Sequence, residues 1–67
     1  MGDKKTPADA ERRLLDYTRL AAYLGVSIRQ AKYLAAEGEI PKVLIGHRVL
    51  FDRADVDSYV ERIKKAS

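Results

Sequence analysis

The sequence predicts a mainly α domain with one small β-hairpin, in the order helix, tight turn, helix, hairpin, helix. Three observations carry this expectation. Two short amphipathic stretches meet at Leu24-Gly25-Val26-Ser27, where a glycine stop runs directly into a serine start. Ile40-Pro41 then closes off further helix, and two short apolar, β-branched-rich runs follow on either side of Gly46-His47-Arg48. The segment from Asp52 onward returns to helical spacing.

Each element has a local cause. Thr18 is a suitable N-cap for a helix running through Leu24. Leu20 and Leu24 share one face of it with Ala21 alongside, and Gly25 can stop it by adopting a positive φ. Ser27 caps the next helix, Ile28–Glu37, which ends at Gly38. Inside it Ala31, Leu34 and Ala35 fall on one face, while Ile28, Arg29, Lys32, Tyr33 and Ala36 turn the other way. Residues 42–45 and 49–51 are the expected strands, joined by a tight glycine-containing turn. Asp52 caps the last helix with Asp55 three residues on, in the arrangement of a capping box. Its apolar stripe is Val56, Tyr59, Val60 and Ile63, and Arg62, Lys64 and Lys65 complement the dipole at its end. One core is expected from Leu20, Leu24, Val26, Leu34, Ile40, Val43, Ile45, Val49, Phe51, Val56, Tyr59 and Val60, with Tyr23 at or near its edge. Residues 1–13 carry Pro7 and mixed charge without apolar period, and are expected to form a flexible arm with a helical turn near Ala8–Leu14. Residues 14–67 form the single domain.

Composition narrows the function. A chain of 67 residues is one small domain, burying only ~60% of its unfolded surface, too little for a multi-part catalytic machine. It has no cysteine and a single histidine, so no four-ligand zinc site and no cofactor are expected. No apolar run approaches the roughly 18 residues of a spanning helix, and no apolar h-region follows the N-terminal charges, so a cytoplasmic protein without membrane contact is expected. Ser27 lies in the turn, far in the chain from the single histidine, and a tyrosine recombinase would need a far larger catalytic domain, so an enzyme is not expected. The net charge is +3, and residues 27–51 hold four basic residues against two acidic ones. That local excess favours a polyanionic partner.

The helix-turn-helix spacing gives the excess a direction. A small residue at Ala21, glycine at position 25, and anchors at Val26, Ala31 and Leu34 let the second helix offer its opposite face to a DNA major groove. Arg29 can pair bidentately with guanine. Lys32 can meet a base or a phosphate, and Tyr33 can hydrogen-bond a phosphate or stack. Ser27, besides capping, can meet a phosphate. Gln30 can read adenine from the flank of this face. At the hairpin tip Gly46-His47-Arg48 would project a cation beside that helix, as a wing does, where the negative potential of a narrow minor groove favours arginine. His47 is a turn residue or phosphate neighbour. Lys42 is a strand-edge charge or a DNA contact, and Arg19 lies where backbone phosphate could be reached. The chemistry expected is therefore double-stranded DNA binding by a winged helix-turn-helix.

From Leu15 to Val60, about two-thirds of the chain, the sequence resembles the phage excisionase and MerR-type winged helix-turn-helix family. The resemblance rests on Tyr17-Thr18, Ala21-Ala22-Tyr23-Leu24-Gly25-Val26-Ser27, Glu37-Gly38-Glu39-Ile40-Pro41, Ile45-Gly46-His47-Arg48-Val49 and Phe51 followed by Asp55-Val56-Asp57. It implies an excisionase, or recombination directionality factor. Such a protein binds tandem sites head-to-tail with neighbouring copies of itself, bends DNA and steers a tyrosine integrase toward excision in a bacterial host cell. About eight residues follow Tyr59, too few for the ~3–4 heptads of a dimerisation coil, which turns the expectation away from an effector-sensing MerR-type regulator. Two positions that are often basic in the family are Ile28 and Ala36 here, which reduces phosphate contacts and gives Ile28 a thymine methyl to touch. A small transcriptional regulator with the same fold is the alternative. A protein-interaction module that has lost DNA binding is a further one.

Overall fold

The structure, a computed structural model, describes residues 12–66. Its elements are β1 (Leu14–Leu15), α1 (Tyr17–Leu24), α2 (Ile28–Ala36), β2 (Val43–Ile45), β3 (Arg48–Asp52) and α3 (Arg53–Ala66). The fold is that of a winged helix-turn-helix: three helices and a small antiparallel sheet. The expected hairpin is present, but β1 joins it to give three strands in the order β1-β3-β2. Leu15 lies opposite Phe51, and Val43, Leu44 and Ile45 lie opposite Leu50, Val49 and Arg48. The helical turn expected up to Leu14 is not formed there, because Leu14 is extended along β3; positions 8–11 of that turn, and Lys4 and Lys5 of the arm, lie outside the described residues. Arg13, the last residue of the expected arm, has its carbonyl bonded by the Arg53 N–H at 2.8 Å, and its guanidinium lies 3.1 Å from Asp52.

Helix boundaries follow from capping chemistry. The N-cap of α1 is Asp16 rather than Thr18: its backbone is extended and its Oδ1 accepts the Arg19 N–H at 2.9 Å. Ser27 caps α2 as expected, with Oγ accepting the Gln30 N–H at 3.0 Å. Both helices end in the same way. Gly25, at φ +75°, lets the Val26 N–H reach back to the Ala21 carbonyl at 2.9 Å, and Gly38, at φ +77°, lets the Glu39 N–H reach that of Leu34 at 3.1 Å. Asp52 caps α3 through the Ala54 N–H at 3.0 Å.

Leu15, Leu20, Ala21, Ala31, Leu34, Ala35, Ile40, Phe51 and Val56 are buried. Leu24, Val49 and Tyr59 pack half-buried against them, and Val43 and Val60 are also half-buried. Two expected core members lie outside. Ile45 is 54% exposed because it sits on the last rung of the hairpin, beyond reach of the helices, and Val26 stays at the rim of the turn. The small residues supply what the expected core omitted: Ala21, Ala31 and Ala35 let α1 and α2 approach closely. Tyr23 is exposed rather than core. Its hydroxyl donates to Asp57 Oδ1 at 2.6 Å, tying α1 to α3, and this bond to a carboxylate raises its pKa above the ordinary phenol value. Arg62 donates to the Glu39 carbonyl at 3.0 Å and fastens α3 to the loop after α2.

Two outcomes follow. Phe51→Ala is expected to cost about 3–5 kcal/mol, comparable with the entire ~3–10 kcal/mol expected for a chain of this length, so the variant should lack a cooperative melt by circular dichroism. The Ala54 N–H, foremost, and Arg13 hold the Asp52 carboxyl below its ordinary pKa. A depressed folded pKa stabilises above the unfolded value and loses that contribution as pH falls through the folded one. The melting temperature of wild type should therefore exceed that of Asp52→Asn at neutral pH, and the gap should close below about pH 3.9.

Candidate nucleic-acid interface

The local cause of the interface is the division of α2 into two faces. Ala31, Leu34 and Ala35 are buried against α1 and the core, which forces Ile28, Arg29, Lys32, Tyr33 and Ala36 outward. All five are exposed, and Tyr33 reaches 58%. Gln30 is exposed on the flank. The outward face contains two cations and no acid. Ser27 sits at the N-terminal end of α2, where backbone N–H groups and the helix dipole favour an anion.

The wing is built differently from the expectation. The hairpin loop is the two residues Gly46-His47, with a positive φ of +61° at Gly46 and none at His47, as in a type II′ turn led by glycine. His47 is exposed in that turn. Arg48 is not a tip residue. It opens β3, and its Nη2 leans back to Asp16 Oδ2 at 3.4 Å. Arg19 Nη1 reaches the same carboxylate oxygen at 3.1 Å. One residue along, Lys32 holds its ammonium 5.7 Å from the centre of the Tyr17 ring. Lys42 is exposed just ahead of β2. Among the described residues, Arg29, Lys42 and His47 have no side-chain hydrogen bond or ion pair. The structure thus brings Arg19 and Arg48 together at the start of α1, and sets Arg29 and Tyr33 apart from them along α2.

Sequence reasoning missed Asp16 as the residue that joins these cations. The signal was present, since an aspartate directly ahead of a helical run is a strong N-cap, but Thr18 offered a competing cap two residues later.

Residues 14–64 match a family model described as a helix-turn-helix domain. The chain belongs to this helix-turn-helix domain family. The family includes excisionase-like DNA-binding domains, and the α1–turn–α2 pair is the two-helix unit of the helix-turn-helix. No curated protein and no solved structure matches the chain. No helix among the described residues is long and apolar enough to cross a membrane.

In this helix-turn-helix domain, the capping role of Ser27 can be separated from the anion contact expected of it. Ser27→Ala should lose the bond to the Gln30 N–H and destabilise the fold by about 1 kcal/mol. Ser27→Asp keeps a capping oxygen but places a negative charge at the start of α2. It should melt like wild type and bind duplex DNA more weakly, which a melt and an anisotropy titration on the same sample will check.

Proposed function

We propose that this protein is a sequence-specific, double-stranded DNA-binding architectural protein of the excisionase type. In this reading it acts without catalysis or cofactor, binds tandem sites with neighbouring copies of itself, bends the duplex, and directs a tyrosine integrase toward excision in the bacterial cytoplasm. The observation that carries the DNA-binding part is the outward face of α2, acid-free and exposed, in a helix-turn-helix domain. The excisionase part rests on the residue pattern from Leu15 to Val60.

Arg29 and Ile28 read base edges, guanine and a thymine methyl respectively, with Gln30 reaching adenine from the side. Lys32, Tyr33 and Ser27 meet phosphates or adjacent bases. Arg48, Lys42 and His47 bring the wing to the backbone, and Arg19 adds a phosphate contact from α1. With about four or five cations on phosphates, log K should fall against log salt with a slope near −4.

The deciding experiment is selection of bound duplexes from a random library, followed by an excision assay with the cognate integrase. Direct repeats about 10 bp apart, and excision that requires the protein, support the proposal. Inverted repeats with a reporter response independent of integrase would replace it with a transcriptional regulator. No enrichment at low salt would leave a protein-interaction module. On the selected site, Arg29→Ala should relax one base position at a cost of about 1–3 kcal/mol. Arg48→Ala should weaken binding across sequences and flatten the salt slope by about 1.

A further inference from the structure

We propose that Asp16 is a built-in competitor for DNA phosphate: in the free protein its carboxylate occupies the arginines of α1 and the wing that a backbone phosphate takes over in the complex. The inference rests on the DNA-binding reading above and adds an attenuating residue to it. Asp16 divides its two oxygens. Oδ1 is committed to the Arg19 N–H at 2.9 Å, as the cap of α1. Oδ2 alone serves Arg19 Nη1 at 3.1 Å and Arg48 Nη2 at 3.4 Å. Two guanidiniums therefore share one carboxylate oxygen.

The contacts are easy to exchange. Arg48 is 66% exposed on its side chain, and ion pairs so open to water contribute little. Only its Nη2 engages Asp16, so the remaining N–H groups of the fork can meet a phosphate, which offers more oxygens in a geometry that guanidinium matches. The carboxylate cannot leave when the phosphate arrives. Its cap bond and its place in the backbone between β1 and α1 hold it there. A like charge then stays close to the phosphate and lowers the affinity of each single copy. Occupancy would depend more strongly on adjacent copies or on a partner protein at the same DNA.

Asp16→Asn tests this, because asparagine caps a helix as well as aspartate while losing the charge and the second oxygen that accepts from Arg19 and Arg48. Binding is read by anisotropy on the selected duplex between ~50 and ~200 mM salt, with a melt of each variant. The expected result is an unchanged melting temperature, binding roughly fivefold tighter at low salt, a slope steeper by about 1, and the same base preference. Adding Arg48→Gln to Asp16→Asn should abolish most of the gain. Asp16→Ser, a second capping substitution, should bind like Asp16→Asn. Binding by a folded Asp16→Asn that is equal to or weaker than wild type would overturn the inference, and would leave the DNA-binding reading intact as long as wild type binds with its salt dependence. Wild type that fails to bind any duplex would overturn both.

Discussion

The constraint on which the rest of the structure depends is the burial of Phe51 near the end of β3. Its ring is fully enclosed and meets the edge of Tyr17 at 5.3 Å between centroids, so one side chain locks the central strand to the first helix. β3 is also the strand to which both β1 and β2 pair, and it runs directly into α3 at Asp52. A wing on a chain this short has no core of its own. It holds its angle to the helix-turn-helix only because its inner strand is part of the common core. The outer half of the hairpin shows what happens beyond that reach: Leu44 is 69% exposed although its rung partner Val49 packs on the core.

Charged groups set the element boundaries around that core. Asp16 and Asp52 each close a strand-to-helix junction by capping the helix that follows, and each also collects an arginine from elsewhere in the chain: Arg48 at Asp16, Arg13 at Asp52. A strand that must become a helix without a loop leaves N–H groups unsatisfied at the corner. An aspartate there satisfies them locally, and its charge gives a distant segment a reason to return. These two aspartates are therefore fold-forming groups at the corners.

Much of this was legible in the sequence because it is local. Gly25 two residues ahead of Ser27, and the spacing of Ala31, Leu34 and Ala35, fix the turn and the buried face of α2 within a dozen residues. Asp52 and the stripe from Val56 do the same for α3. What escaped was non-local. Leu14-Leu15 is too short to show a strand period, and it becomes a strand only because β3 offers an open edge far along the chain. Arg48 looked like a tip residue because its neighbours Gly46 and His47 are turn formers. Its actual setting depends on Asp16, thirty-two positions earlier. The expected core was wrong at Ile45 because burial follows position relative to the helix contact, and Ile45 lies beyond it while the small Ala21 lies within.

The same geometry bears on how the domain can use its charge. A helix that reads a groove and a wing that grips the backbone are useful together only if their relative placement is fixed before binding, since ordering them at the moment of contact would cost part of a small binding energy. Here the placement is fixed by the apolar lock at Phe51 and Tyr17 beneath, and the Asp16 carboxylate adds only a weak ionic contact at the surface. The two differ in kind. The apolar contact is indifferent to an approaching polyanion, whereas the ionic one is not, because any phosphate near Arg48 or Arg19 meets a carboxylate already in place. Rigidity can therefore survive while the surface pair is exchanged. On the proposal that Asp16 competes with phosphate, a domain arranged in this way would keep its shape on and off a charged partner while one carboxylate adjusts the strength of its grip.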